Sequence, residues 1–314
     1  MKLKRIGQIV LGFLFFGLLL ILISYAISRN SRLTVLAARS LVADTDHGAI
    51  EYRIVGETGP WVLYLHGTPG GYDAPVSPIP GMRTLIPSRP GYLKTALDVG
   101  RSPEEQAEAF KSLLDVLEID RAVVFGTSGG GPAAITFAAR YPERTSGLIT
   151  YAAASQLRDI PDDLQPPFFL KSDFVSWLLY SGLKKLGGPE ATVKVIVSDP
   201  ANQQLILDDS ENRESLERLV WSIWPFSQRE AGWRNDNHYF AIMDLPAEEI
   251  RVPTLILHGT EDFNVPFEFS AQLNEQIHGS VLHAVPNADH MMMLYKREEL
   301  SAVIREFLDS LNLD

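Results

Sequence analysis

The chain has 314 residues, 46% of them apolar and 21% charged, enough to bury a sizeable core and too apolar for a disordered polymer. It has no cysteine, which excludes thiol catalysis, cysteine-based zinc sites and iron–sulfur clusters and leaves the redox compartment open. A net charge of −11 argues against a nucleic-acid partner, because phosphate binding draws on clustered Lys and Arg.

The first element is an apolar run. Ile6 to Ser28 holds 23 residues without a charge, preceded by Lys2, Lys4 and Arg5 and followed by Arg29 and Arg32. As a helix it would span about 34 Å, enough for a bilayer core of about 30 Å. Residues 1–32 therefore read as an uncleaved single-pass membrane anchor. A signal peptide fits less well: its apolar region is about 7 to 15 residues, and Ser24-Tyr25-Ala26 matches a cleavage site poorly. The five basic residues of this segment have no acidic counterpart, so the 282 residues beyond it carry −16. Three basic residues stand on each side of the run (Lys2, Lys4, Arg5; Arg29, Arg32, Arg39), and only the α-amine favours an inside N-terminus, which puts the body on the outer (periplasmic or extracellular) side.

Past the anchor, short apolar runs alternate with longer amphipathic ones, the pattern of an α/β sheet with helical crossovers. Strands are expected near Ala49–Val55, Trp61–Leu65, Thr84–Pro87, Ala122–Phe125, Gly147–Ala152, Thr254–His258 and Ser280–Val285. Between Gly100 and Asp120, Ser102, Pro103 and Glu105 spell a capping box ahead of a helix with Phe110, Leu113, Leu114 and Leu117 on one face. A second helix should follow Gly129 and stop at Tyr141-Pro142, and a last one should run from about Glu298 to Leu311. Residues 155–249 break the alternation with helical periods and four of the five tryptophans, and read as a helical insertion whose aromatics form its own core or line a pocket.

Chemistry concentrates in four places. Ala122–Phe125 leads into Gly126-Thr127-Ser128-Gly129-Gly130, a Gly-x-Ser-x-Gly turn between a strand and a helix that would hold Ser128 exposed as a nucleophile near a helix N-terminus. The overlapping Gly129-x-Gly131-x-x-Ala134 lacks the acidic residue that a dinucleotide site places about 20 residues on, and no P-loop occurs. Serine needs a base, and the base an orienting carboxylate. Glu261 and Asp262 follow the strand Thr254–His258, with Asp262 preferred; of the histidines beyond, His278 falls at a helix end, His283 within a strand, and His290 in a loop that can fold back over the sheet edge. Finally, Tyr64-Leu65-His66-Gly67-Thr68-Pro69-Gly70-Gly71 ends a strand in a glycine-rich loop. The N–H groups of Thr68 and Gly129 are the candidate oxyanion donors, each able to lower a barrier by about 3 to 4 kcal/mol.

His66-Gly-Thr-Pro-Gly-Gly71, Ser88-Arg-Pro-Gly-Tyr92, Gly126-Thr-Ser-Gly-Gly130, Gly259-Thr-Glu-Asp262 and Asp289-His290, in this order, resemble the α/β-hydrolase fold family over about residues 47 to 312. The resemblance implies a mostly parallel eight-stranded sheet, a core of residues 33–154 and 250–314, a helical cap at 155–249, and a Ser128–His290–Asp262 triad. Two departures stand out. The loop is similar to that of proline iminopeptidases but has Thr68 at its variable place, and Asp289 precedes His290 where many relatives have Gly. The expected activity is a serine esterase acting by acyl transfer on a small-molecule ester, with no cofactor or metal required. Two alternatives are an aminopeptidase using Glu214, Glu217 or Glu230 of the insertion to grip an amine, and a catalytically silent receptor or scaffold. Acyl-chain length and oligomeric state are not readable from the sequence.

Overall fold

The computed structural model describes residues 2–76, 78–161 and 163–313. It opens with one long helix, α1 (Lys2–Ala38), which continues ten residues beyond the uncharged run. Among the described residues it is the one helix long and apolar enough to cross a membrane, with a mean hydropathy of 2.7 over its most apolar stretch.

Eight strands follow: β1 (Leu41–Thr45), β2 (Gly48–Val55), β3 (Trp61–Leu65), β4 (Arg83–Pro87), β5 (Ala122–Thr127), β6 (Thr145–Tyr151), β7 (Thr254–Gly259) and β8 (Val281–Val285). They form one sheet in the order β1-β2-β4-β3-β5-β6-β7-β8. The first two pairings, β1 with β2 and β2 with β4, are antiparallel, and every other pairing is parallel. Seven of these strands match the expected segments to within two residues, and β1 is the exception. Its five residues bury only Ala43, so no alternation of large apolar side chains marks it. What creates it is the turn after it, where Gly48 at φ 120° returns the chain and Thr45 pairs with Gly48.

Alternate residues of the central strands enter different cores. Leu63, Leu65 and Val124 join α2 (Pro103–Val116), α3 (Gly131–Arg140) and α9 (Phe267–Gln276), whereas Val62, Val123 and Phe125 join α10 (Met292–Tyr295) and α11 (Arg297–Ser310). The helix α2 starts as its sequence demands. Ser102 Oγ accepts from Glu105 N–H, and Glu105 Oε2 accepts from the N–H groups of Ser102 and Arg101. Ser102→Ala should cost about 1 kcal/mol in chemical denaturation and leave the fold unchanged.

Between β6 and β7 lie α4 (Asp173–Gly182), α5 (Gly188–Ile196), α6 (Pro200–Asp208), α7 (Ser210–Ile223) and α8 (Glu230–Phe240). They have a small core of Val193, Val197, Ile206 and Leu216, and Met291 and Leu294 just after His290 pack against it. The insertion's tryptophans divide between roles. Trp233 lines the cavity above the sheet, whereas Trp177 packs edge-on against Tyr25 of α1.

Candidate active site

Strands β3 and β5 are neighbours, but the chain leaves β3 towards β4 on one side and reaches β5 on the other. Such a reversal opens a crevice at the strands' C-terminal ends. The loop His66–Gly71 leaves β3 there, and Ser128 follows β5 directly.

Ser128 has φ 50°, a left-handed conformation that a non-glycine residue adopts at a cost of order 1–3 kcal/mol. Its flanking glycines permit the sharp turn. A Cβ on Gly126 would stand 2.5 Å from the Ala134 Cβ, and one on Gly130 would collide with the Leu65 carbonyl. Ser128 Oγ lies 3.1 Å from His290 Nε2, and His290 Nδ1 lies 2.6 Å from Asp262 Oδ2. With Nδ1–H donating to the carboxylate, Nε2 is left to accept from the serine hydroxyl. The three side chains thus make one hydrogen-bonded line from three separate loops.

Each partner is held in turn. Asp262 Oδ1 accepts from the N–H groups of Asn264 and Val265 at 2.8 and 2.9 Å. A second imidazole, the fully buried His258, stands 3.2 Å from Asp262 Oδ2 through Nε2 and accepts from Ser270 Oγ–H through Nδ1 at 2.6 Å. Burial pushes the Asp262 pKa up, but the hydrogen bonds of His258, His290 and the Val265 backbone and the His290 charge outweigh it, and the carboxyl sits below the usual carboxylate range. Its contribution to stability is therefore complete above the unfolded-state value of about 3.9 and is lost as pH falls through the lower folded-state value. The gap in urea midpoint between pH 7 and pH 3 should shrink in Asp262→Asn.

The loop carrying His290 is shaped by the residue that departs from the family pattern. Asp289 Oδ1 accepts from Met291 N–H and Tyr295 O–H, both at 2.9 Å, while Tyr151 O–H donates to the His290 carbonyl at 2.8 Å. The aspartate thus supports the turn by side-chain bonds.

Thr68 and Gly129 meet beside Ser128; a Cβ on Gly129 would collide with the Thr68 side chain. Among the described residues, the Thr68 backbone N–H donates to no protein acceptor. The loop is fixed from beneath. Burial, followed by the charge of Arg89, holds His66 well below its usual pKa, so the ring is neutral: Nε2 accepts from the Arg89 N–H at 2.9 Å and Nδ1–H donates to the Gly67 carbonyl at 2.8 Å. Buried Arg89 makes a two-pronged pair with Asp236 of α8, at 2.9 Å to Oδ1 and 2.5 Å to Oδ2, and donates to the His66 carbonyl at 2.8 Å. Thr68 and Tyr92 both donate their hydroxyls to Asp236. Asp236 and His258 were not singled out from sequence: Asp236 lies in a helix with no motif around it, and His258, the residue before the Gly259–Asp262 motif, read only as the end of a strand.

A cavity of about 980 Å³ opens over Ser128 and His290, walled by Leu219, Ile223, Trp233, Phe240, Val265 and Leu294, and runs beside β3 as far as Pro60. The three cap carboxylates considered for gripping an amine are not part of its lining. Glu214 is exposed and Glu217 and Glu230 are half-buried, and the three pair with Arg218, Lys184 and Arg234. The aminopeptidase expectation loses its amine-binding groups with them.

Comparison with known proteins gives the family. Residues 62–303, about three quarters of the chain, match the Alpha/beta hydrolase family. The chain belongs to that family, and it is an enzyme. An α/β-hydrolase fold protein from Nakamurella multipartita is 30% identical, superposes with a TM-score of 0.76, and covers 86% of this chain and 98% of its own. An uncharacterized hydrolase of Bacillus subtilis, YcgS, is 27% identical over 84% of this chain and 96% of its own length. The 2-hydroxy-6-oxo-2,4-heptadienoate hydrolase of Pseudomonas putida is 25% identical over 83% of this α/β hydrolase and 94% of the relative.

Proposed function

We propose that this α/β hydrolase is a serine esterase that cleaves small apolar carboxylic esters, held at a membrane by α1 with its body on the outer side. The observation that carries the catalytic reading is the Ser128–His290–Asp262 line at the floor of an apolar cavity. His290 takes the Ser128 proton as Oγ attacks the ester carbonyl, and Asp262 stabilises the resulting imidazolium. The backbone N–H groups of Thr68 and Gly129 receive the oxyanion. His290 then protonates the departing alcohol, and water, activated by the same imidazole, releases the acid and restores Ser128. The length and composition of α1 support the anchor.

A second substrate reading rests on Arg158, which lines the cavity without an ion-pair partner among the described residues. A cation there suits a substrate with its own carboxylate, such as the dienoate named for the Pseudomonas relative. Three substrates separate the possibilities. Turnover of p-nitrophenyl butyrate that is lost in Ser128→Ala supports the esterase. Serine-dependent consumption of 2-hydroxy-6-oxo-2,4-heptadienoate alone replaces it with carbon–carbon bond hydrolysis, and turnover of proline naphthylamide would restore the aminopeptidase. Absence of any turnover together with absence of fluorophosphonate labelling would favour a silent receptor.

A further inference from the structure

We infer that the cap itself lies in the membrane surface, with α4 and the chain on either side of it seated among lipid headgroups and upper acyl chains. This rests on reading α1 as a membrane anchor. The decisive contact is Tyr25, inside the uncharged run, whose ring packs edge-on against Phe174 at 5.2 Å and Trp177 at 5.6 Å in α4. Tyr25 is three residues from the end of that run, about 5 Å along a helix, so whatever packs on it lies at the lipid–water boundary.

Residues 164–187 have the composition such a position requires. Phe168, Phe169, Leu178, Leu179 and Leu186 are exposed, Leu186 to 92%, although the cap has a core available to it. Three lysines (Lys171, Lys184, Lys185) accompany a single aspartate, Asp173; that aspartate is taken by Arg29 of α1 and Lys184 pairs with Glu217 of α7, which leaves Lys171 and Lys185 for the lipid. In a body carrying −16, a segment with excess positive charge and exposed aromatic and aliphatic side chains is suited to an anionic lipid surface that the rest of the body would be repelled from.

The seat is rigid because α1 is bolted to the body beyond the lipid. Arg32 donates to the Trp224 and Trp221 carbonyls at 3.1 and 3.2 Å and pairs with Asp73, which also binds the buried Arg229. Tyr72 O–H donates to the Leu36 carbonyl at 2.5 Å. Trp221 and Trp224 flank Ser222 and Ile223 of the cavity wall, so the docked face adjoins the cavity.

The absence of native cysteine makes the test clean, since each single-cysteine variant carries one thiol. The full-length variants Phe15→Cys, Leu179→Cys, Leu186→Cys and Glu143→Cys, labelled with NBD, are reconstituted in phosphatidylcholine–phosphatidylglycerol vesicles with and without doxyl-labelled phosphatidylcholine. Glu143 is exposed near the start of β6, at the end of the sheet opposite the site. Expected are blue-shifted emission and severalfold stronger quenching at positions 15, 179 and 186 than at 143. Quenching at 15 with 179 and 186 behaving like 143 would overturn the docking and leave the anchor standing. Blue-shifted but unquenched emission at 179 and 186 would place this face against protein and overturn it as well. No quenching at 15 would remove the anchor and the docking together.

Discussion

Ser128→Ala should remain folded and lose ester hydrolysis by roughly four to six orders of magnitude in kcat, with any residual rate owed to substrate positioning and oxyanion binding. The substitution removes one oxygen from a residue held at φ 50°, so Ala inherits the same backbone strain and stability should change little. His290→Ala should lose a similar amount, and the double variant little more, because the two side chains act as a unit along one hydrogen-bonded line. Initial rates on p-nitrophenyl butyrate, with circular dichroism as the control for folding, measure this. Additive losses in the double variant would mean that Ser128 and His290 work independently.

The second large effect concerns Asp236. Asp236→Asn should destabilise the protein by about 3 to 5 kcal/mol, because Arg89 is left charged and buried with its partner removed. For a body of this size that corresponds to roughly 10 °C in Tm. Burial first, and the Asp236 charge second, hold the Tyr92 phenol well above its usual pKa, so in the native protein Tyr92 is a donor to Asp236 and loses that acceptor charge in the variant. Activity should fall more than stability at the assay temperature accounts for, since Thr68 is also released from Asp236 and the loop that faces the substrate carbonyl is freed. Thermal unfolding and kcat are measured on the same sample, and an unchanged Tm would show that the Arg89–Asp236 pair is replaced by water at little cost.

The order of Ser128, Asp262 and His290 was legible because each lies in a short motif at the end of an expected strand. So was the start of α2, whose capping signals are all within four residues. The supporting charges were not. Arg89 and Asp236 are 147 residues apart, and only the folding of α8 over the sheet brings them together. The end of α1 was missed for a different reason: the arginines at 29 and 32 mark where the apolar run stops, whereas helix propensity through Leu33–Ala38 carries the helix on to the body. The strand β1 escaped because an edge strand with one buried side chain has no hydrophobic alternation to read.

The most direct measurement is covalent. The full-length protein is treated with a fluorophosphonate, digested and mapped by mass spectrometry, with Asp262→Asn and His290→Ala alongside. A reactive serine activated by His290 predicts one adduct, on the peptide containing Ser128, formed far more slowly in both variants. An adduct on another serine, or equal labelling rates in all three proteins, would contradict the proposed role of the Ser128–His290–Asp262 line.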